Sequence, residues 1–269
     1  MITTRAKTEL ESYLREDVNL GDVTSSLLPR VKAKAIIIAR ETCFLSGIEE
    51  ISYLLRKHGL KVKALKKDGE KIKRNQKVLE IVGENRTVLS LERICLNVLG
   101  RMSGVTTLCN KAKKKCKNTR LAVTRKTMPG FQLLDKKAAE VAGLWSHRKD
   151  LSEMILIKEN HLEFIGIKEA IRKGKNKNKK VEIEVENQKQ ALEASTEQPF
   201  MIMLDNFSAK NAKISIGKLK NAGFKGKIEL SGGITIKNLS RYCNLGADII
   251  SMGELTKKAN IIDFSLRVL

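Results

Sequence analysis

The second part of the chain alternates short apolar runs with amphipathic segments, and this rhythm restricts the possible folds more than any other feature. The runs contain many β-branched residues and recur from about residue 104 onward, as in Leu121–Thr124, Met154–Ile157, Val181–Val185, Phe200–Leu204, Lys227–Leu230 and Asp248–Ser251. The segments between them have helical periodicity, as in Leu133–Val141, Ile167–Ile171, Gln188–Ala194 and Asn211–Ala222. Strands that alternate with helices form right-handed β–α–β units around a parallel sheet. Six such strands favour an α/β barrel over an open, doubly wound sheet.

The absence of a Gly-x-Gly-x-x-Gly sequence after the first strand argues further against a dinucleotide-binding fold.

The first hundred residues have a more mixed pattern. An opening helix is predicted over Thr3–Leu14 and a second over Leu89–Met102, where apolar residues recur at helical spacing. Strand-like runs between them are Ala35–Ala39, Val62–Leu65 and Val78–Val82. These patterns predict a first domain over residues 1–103 and a second over 104–259, with residues 260–269 as a candidate to pack on the first.

Composition limits the class of protein. With 269 residues, 42% of them hydrophobic, the chain can bury a substantial core. Its longest apolar runs are far too short to span a bilayer, and its polar first residues do not resemble a secretion signal. These features predict a soluble protein of the cytoplasm without a membrane partner.

The net charge of +22 makes polyanions candidate partners. Much of this charge lies in lysine-rich runs, Lys111–Lys117 and Arg172–Lys180, which contain no aromatic residue that could stack on a nucleobase. The runs are therefore interpreted as solvated faces, and no specific nucleic-acid partner is expected.

Five cysteines are scattered along the chain without Cys-x-x-Cys spacing. Their odd number and their spacing argue against a disulfide framework and against a structural zinc site. We expect free thiols in a reducing compartment.

Polar residues follow the predicted barrel strands in succession. In a barrel, the C-terminal ends of the strands carry the functional residues. Those ends present Arg125 and Lys126, Lys158, Glu184, Asp205, Ser231-Gly232-Gly233 and Gly253. The carboxylates suit ribose hydroxyls or Mg²⁺, and the glycine turns suit a phosphate group. With His147 and Arg148, the early strands supply enough cations for a small substrate with several negative charges.

The other histidines do not indicate a catalytic triad or a zinc site. His58 lies in a lysine-rich segment and is interpreted as incidental, and His161 is interpreted as a residue that orients the loop after Lys158.

The order of these motifs resembles that of the quinolinate phosphoribosyltransferases, a family of type II phosphoribosyltransferases. In the second domain the matching segments are Thr124-Arg125-Lys126-Thr127-Met128-Pro129-Gly130, Ser146-His147-Arg148, Ile157-Lys158-Glu159-Asn160-His161, Glu182-Ile183-Glu184-Val185, Met203-Leu204-Asp205-Asn206, Ser231-Gly232-Gly233 and Gly253-Glu254-Leu255-Thr256. In the first domain they are Glu16-Asp17, Gly21-Asp22-Val23-Thr24, Leu91-Glu92-Arg93, Leu96-Asn97 and Ser103-Gly104. The resemblance covers almost the whole chain.

The resemblance implies a fold and a reaction. The fold is an N-terminal α/β sandwich domain followed by an incomplete α/β barrel. The reaction joins quinolinate to phosphoribosyl pyrophosphate and gives nicotinate mononucleotide, pyrophosphate and CO₂ for NAD synthesis, with Mg²⁺ as cofactor. A homodimer, alone or within a hexamer, is implied because Arg93 reaches the site of a neighbouring subunit.

The resemblance also implies the role of each site residue. The quinolinate-binding cations correspond to Arg93, Arg125, His147, Arg148 and Lys158. Lys126 corresponds to a lysine near the substrate and pyrophosphate, and Glu184 and Asp205 correspond to carboxylates that hold the ribose and the metal, directly or indirectly. Ser231, Gly232, Gly233 and Gly253 correspond to the phosphate loops. Catalytic roles are expected for Lys126, Lys158, Glu184 and Asp205.

Three positions depart from the family pattern, namely Val123, Gln132 and the segment Gly143-Leu144-Trp145. Trp145 is either a packing anchor or a residue that reshapes the acceptor pocket.

Two alternative functions are considered: a phosphoribosyltransferase-like protein associated with molybdenum transport, which acts on another acceptor, and a basic nucleic-acid-binding barrel. Lys158 and Asn160 favour the quinolinate enzyme over the first, and the acidic pair Glu184 and Asp205 argues against the second.

Overall fold

A computed structural model describes residues 2–269 of the chain. Its helices are α1 (Thr4–Val18), α2 (Ile48–Lys57), α3 (Asn85–Lys115), α4 (Gln132–Val141), α5 (Glu159–Leu162), α6 (Ile167–Lys175), α7 (Gln188–Thr196), α8 (Ala209–Asn221) and α9 (Glu254–Lys257). Its strands are β1 (Lys32–Ala39), β2 (Cys43–Phe44), β3 (Lys61–Ala64), β4 (Lys71–Ile72), β5 (Lys77–Glu84), β6 (Arg120–Val123), β7 (Ile155–Ile157), β8 (Val181–Val185), β9 (Met201–Asp205), β10 (Lys227–Ser231), β11 (Ile249–Met252) and β12 (Phe264–Val268).

The described residues form two compact units. Unit 1 contains residues 2–110, Met128–Gly143 and Lys258–Leu269, and unit 2 contains Lys111–Thr127 and Leu144–Lys257. This division differs from the domains drawn on the sequence, because α3 continues through residue 103 and the segment that contains α4 belongs to unit 1.

Unit 1 is built on a four-stranded antiparallel sheet with the order β12-β1-β5-β3. The run Ala35–Ala39 in β1 is buried, and Ile37 lies opposite Leu266 of β12 on one side and Leu79 of β5 on the other. The strand pattern of the sequence predicted β1, β3 and β5 but assigned no strand to β12. This strand is short and half-exposed, and it includes charged Arg267.

Glycines in α3 let the end of the chain lie directly against this helix. A Cβ atom at Gly100 would meet the carbonyl oxygen of Ile262 at 2.7 Å, and one at Gly104 would overlap the carbonyl oxygen of Asn260. The Ile262 amide donates a hydrogen bond to the Gly100 carbonyl at 3.0 Å. The helix is thus longer than the predicted Leu89–Met102, because its glycines serve close packing and do not end it.

Unit 2 contains a six-stranded parallel sheet with the order β6-β11-β10-β9-β8-β7. Helices connect the successive strands β7 to β10, as the alternating sequence pattern predicted. Beside β6, the backbone of Trp145 pairs with Ala122 and adds a short extended segment. Over the described residues the sheet does not close on itself, which confirms the prediction of an incomplete barrel.

One face of this sheet carries alternate residues of the strands. On β8 these include Glu182 and Glu184, and on β10 they include Glu229 and Ser231, since side chains two residues apart point to the same face. Near the strand N-termini an apolar cluster fills the space, and its members are Ala122, Met154, Met201 and Ile249, with Trp145 and Phe200 packed against them.

The expectation of five free thiols is wrong for two cysteines. Cys116 and Cys243 form a disulfide within unit 2, whereas Cys43, Cys95 and Cys109 are free and buried. The sequence could not indicate this pair, because 127 positions separate its members and only the fold brings them together.

Between residues 2 and 269, the structure contains no helix with the length and apolar character that a membrane span requires. The lysine side chains of the runs Lys111–Lys117 and Arg172–Lys180 are exposed, in agreement with their interpretation as solvated faces.

Candidate active site

A cavity of about 320 Å³ opens at the C-terminal ends of the parallel strands of unit 2. Such strand ends are where α/β barrels place their functional groups. The residues that line it are Thr124, Arg125, Lys126, His147, Arg148, Leu156, Lys158, Glu184, Met203, Asp205, Glu229, Ser231 and Ser251.

One wall of the cavity is cationic. Arg125 and Lys126 follow β6 and are exposed, and the Thr256 hydroxyl holds their loop by a hydrogen bond of 2.8 Å to the Lys126 carbonyl. Arg148 is buried, and its burial, with the nearby charge of Arg125, lowers the pKa of its guanidinium. Such an arrangement of cations favours an anion that can replace the lost water.

A lysine and two carboxylates occupy the adjacent strand ends. Lys158 Nζ lies 2.7 Å from Glu184 Oε2, and Asp205 Oδ2 accepts a 2.6 Å hydrogen bond from the side chain of Asn206. Burial raises the pKa of Glu184, with a smaller contribution from the charge of Asp205, although the hydrogen bond from Lys158 opposes it. Burial also raises the pKa of Asp205. The carboxylates therefore favour a cation or hydroxyl donors beside them.

The turn after β10 is closely packed. Gly232 has φ of +80°, and a Cβ atom there would overlap the backbone and side chain of Asn206. The backbone N–H of Asn206 donates a hydrogen bond to the Ser231 carbonyl at 3.0 Å, which links the turn to the end of β9. After β11, a Cβ atom at Gly253 would lie 3.0 Å from Lys126 Cδ, so this glycine gives the lysine room.

The floor of the cavity contains a buried imidazole between two buried carboxylates. His147 Nε2 lies 3.2 Å from Glu182 Oε2 and 3.2 Å from Glu229 Oε2. Burial by itself would lower the pKa of His147, but the two carboxylates raise it. Burial and the charge of Glu229 raise the pKa of Glu182 to about 7. The three groups are therefore coupled, and the cluster retains a proton near neutrality.

Trp145 lies against this floor. Its ring centroid is 4.6 Å from that of His147, its indole packs on the apolar cluster below, and it does not line the cavity. Of the two interpretations left open by the sequence, the packing anchor agrees with this position. Leu144 is buried next to it, and Gln132 begins α4 in unit 1.

Eight of the twelve predicted site residues line the cavity: Arg125, Lys126, His147, Arg148, Lys158, Glu184, Asp205 and Ser231. Gly232 and Gly233 continue the turn from Ser231, and Gly253 follows β11. Arg93 is an exposed residue of α3 in unit 1. His161 accepts a hydrogen bond from the Lys158 amide at 3.0 Å, as expected of a residue that orients this loop.

Sequence reasoning missed the two carboxylates of the floor. Glu182 and Glu229 lie two positions before Glu184 and Ser231 on the same strands. The period of two along a strand would have placed all four on one face, had it been applied to residues within the strands as well as at their ends.

Comparisons with known proteins cover nearly the whole chain. Residues 22–103 match the family described as quinolinate phosphoribosyl transferase, N-terminal domain, and residues 105–267 match the corresponding C-terminal domain. A protein of Methanocaldococcus jannaschii named as a probable carboxylating nicotinate-nucleotide pyrophosphorylase is 40% identical, over 96% of this chain and 95% of its own length. The carboxylating nicotinate-nucleotide pyrophosphorylase of Rattus norvegicus is 32% identical, over 96% of this chain and 89% of its own.

A solved structure agrees with these matches. The nicotinate-nucleotide pyrophosphorylase of Francisella tularensis superposes with a TM-score of 0.91 and 34% identity, over 100% of this chain and 98% of its own. With both of its domains matched in order and its cavity at the strand ends of the second, the chain belongs to the quinolinate phosphoribosyltransferase family.

Proposed function

We propose that this protein is an enzyme that transfers the phosphoribosyl group of phosphoribosyl pyrophosphate to quinolinate. The products are nicotinate mononucleotide, pyrophosphate and CO₂, a step in the de novo synthesis of NAD. The observation that carries the proposal is the cavity of unit 2, where a cationic wall faces an acidic pair beside a glycine turn. An acceptor with two carboxylates and a donor with ribose and phosphate groups need these chemistries side by side.

The cationic wall binds the acceptor. Arg125, Arg148 and Lys158 supply the donors for two carboxylates that lie close together on one ring, and His147 lines the floor beside them. Bidentate arginine–carboxylate contacts give orientation as well as affinity, so the ring nitrogen is held toward the donor. Nicotinate has only one carboxylate and would leave part of this wall without a partner.

The opposite side binds the donor. Glu184 and Asp205 accept hydrogen bonds from ribose hydroxyls, and the turn Ser231-Gly232-Gly233, with Gly253, offers backbone N–H groups to a phosphate. Lys126 lies beside Gly253 and neutralises the pyrophosphate as it leaves.

Positioning and electrostatics carry the chemistry. The ring nitrogen forms a bond to the ribose C1 while the bond from C1 to the pyrophosphate oxygen breaks. The bond between the ring and the adjacent carboxylate then breaks, its electron pair remains on the ring carbon beside the cationic nitrogen, and that carbon takes up a proton as CO₂ leaves. No covalent enzyme intermediate is required.

Mg²⁺ is proposed as the cofactor, and the residues present fit it. Glu184 and Asp205 offer hard oxygen ligands, and the charge of Asp205 raises the pKa of Glu184, a repulsion that a cation would relieve. These two residues would hold the ion, directly or through water, and the ion would neutralise charge on the pyrophosphate. We expect chelation by EDTA to abolish turnover and added Mg²⁺ to restore it.

A homodimer, alone or within a hexamer, is proposed because Arg93 is assigned to the acceptor site of the neighbouring subunit. The support is its exposure on α3, which leaves the guanidinium available to a second chain. Arg93→Ala and Lys158→Ala protein, each inactive alone, should regain activity after mixing and subunit exchange, because one site of each mixed dimer is then intact. Failure of exchanged mixtures to recover activity would contradict the shared site.

The direct test of the function is stoichiometric. Purified protein with quinolinate, phosphoribosyl pyrophosphate and Mg²⁺ should release CO₂ and pyrophosphate in equal amounts with nicotinate mononucleotide.

The homologues share the pyrophosphorylase name, so neither the molybdenum-associated relative nor a nucleic-acid-binding barrel is favoured. A cytoplasmic location stays a prediction from the sequence.

A further inference from the structure

The floor of the cavity holds two carboxylates, Glu182 and Glu229, to which the proposed function assigns no role. Glu182 and Glu229 are 0% exposed, and the imidazole of His147 between them is 7% exposed. Glu182 lies below the cavity lining, whereas Glu229 and His147 reach it.

Their isolation is unusual for buried charges. No oxygen of either carboxylate has a hydrogen bond of good geometry within residues 2–269. The basic nitrogen nearest to them is His147 Nε2, which lies 3.2 Å from an oxygen of each carboxylate. The charge of Arg148 also acts on Glu182. A buried carboxylate with so few partners costs several kcal/mol of folding free energy in typical proteins, so two of them in one layer indicate a function.

The imidazole is held on both sides. The Arg148 amide donates a hydrogen bond of 2.8 Å to His147 Nδ1. Because Nδ1 accepts, the ring proton lies on Nε2, where it faces the two carboxylates. The ring can therefore neither flip nor rotate without losing contacts on both of its edges.

The backbone at His147 is strained as well. Its φ of +54° lies in the left-handed region, which costs a residue with a side chain about 1 kcal/mol or more unless its surroundings hold it. This turn separates the extended segment at Trp145 from Arg148, which lines the cavity. The contacts that fix the imidazole thus also fix the direction in which Arg148 leaves the turn.

We propose that Glu182 and Glu229 are positioning residues for the acceptor: they hold the imidazole of His147 and, through the left-handed turn, keep Arg148 directed into the cavity. The inference rests on the proposed function, since it assigns these residues to the binding of quinolinate. Neither carboxylate needs to touch the substrate.

The same three groups could in principle ligate a cation, because their ligand atoms lie within 4.8 Å of one another. The hydrogen bond to Nδ1 argues against this. A metal on Nε2 would displace the ring proton and leave an imidazolate, since Nδ1 already accepts from Arg148. The geometry therefore favours a proton at this position.

The kinetic test uses Glu182→Gln and Glu229→Gln, which keep the shape and remove the charge. Each should raise the KM for quinolinate by about 10–100-fold, because a small misplacement of a binding group can cost that much, and change the KM for phosphoribosyl pyrophosphate by less than about twofold. Glu182→Asp and Glu229→Asp should recover part of the loss. Glu50→Gln is the matched control, since Glu50 is equally buried and paired with Lys137 in unit 1, and it should leave both KM values unchanged.

A second readout does not depend on activity. The chain has three histidines, His58, His147 and His161, so ¹⁵N-histidine labelling gives a simple NMR spectrum, with His147→Gln for assignment. The proposal predicts a slowly exchanging proton on Nε2 of His147 and an unprotonated Nδ1 in the wild type. Glu182→Gln and Glu229→Gln should each speed the exchange of that proton.

Several results would overturn the proposal that Glu182 and Glu229 position His147 and Arg148. An unchanged KM for quinolinate in both folded Gln variants, or an equal rise for both substrates, would overturn the proposal. So would a His147 ring that exchanges freely with water, or about one equivalent of tightly bound transition metal in the purified protein. If a Gln variant does not fold, the wild-type NMR signal alone decides. A wild type without quinolinate turnover would instead contradict the proposed function, whatever the state of His147.

Discussion

At the scale of single residues, the ion pair between Lys158 and Glu184 offers a direct test of the proposed site. The 2.7 Å contact places a cation between the acidic pair and the cationic wall, with 39% of the lysine side chain still exposed. Lys158→Ala should lower kcat/KM for quinolinate by about 100-fold or more, because a cation that binds and orients the carboxylates of the acceptor is lost. Lys173→Ala on α6 is the control, since that lysine makes only an exposed ion pair with Glu169.

Steady-state kinetics and a thermal unfolding curve of both variants check this prediction. Activity of Lys158→Ala close to that of the wild type would contradict the assignment of the acceptor site, provided that the two unfolding curves coincide.

Single residues also show what the sequence could predict about the site. Arg125, Lys158, Glu184 and Asp205 were identifiable because each comes at or just after the end of a parallel strand, where side chains converge. Glu182 was not, because a glutamate inside a short strand is equally compatible with a solvated face. Its burial depends on how neighbouring strands surround it, which no local pattern contains.

At the scale of elements, the turn after β10, which we assign to a phosphate group, is closely packed. Gly232→Ala should destabilise the protein by about 1–3 kcal/mol, because alanine at φ of +80° is strained and its Cβ would overlap Asn206. The KM for phosphoribosyl pyrophosphate should rise more than that for quinolinate.

Gly217→Ala is the matched control for this substitution. Gly217 lies in α8, and a Cβ atom at this position would have nothing within 4 Å, so alanine there should leave activity intact and add up to about 1 kcal/mol of stability. Urea unfolding and substrate titrations of both variants provide the comparison. An unaltered KM for phosphoribosyl pyrophosphate in Gly232→Ala would contradict the phosphate assignment of the turn.

Long periodic elements were predictable and short ones were not. Helices such as α8 and strands such as β8 and β9 have enough apolar periodicity to be recognised alone. The two-residue strands β2 and β4 pair only with each other, and β12 becomes a strand because β1 offers it an edge. Their sequences carry no comparable pattern, since the stabilising partner lies far away in the chain.

At the scale of the whole molecule, the disulfide joins positions that are 127 residues apart. Such a bond restricts the unfolded chain, and its loss should lower the free energy of unfolding by about 2–4 kcal/mol. Cys116→Ser, Cys243→Ser and the double variant should all lose the same amount, because each removes the same bond. Alkylation in urea without a reductant should label three cysteines, and labelling of all five would contradict the disulfide.

The cavity as a whole should select an acceptor with two adjacent carboxylates, and a comparison of two acceptors decides whether it does. Phosphoribosyl transfer is measured with quinolinate and, in parallel, with nicotinate, at saturating phosphoribosyl pyrophosphate and Mg²⁺. Because nicotinate leaves buried cations such as Arg148 without a partner, we expect nicotinate mononucleotide from quinolinate and little or none from nicotinate. Equal rates from both acceptors, or product from nicotinate alone, would show that the cavity does not make this selection.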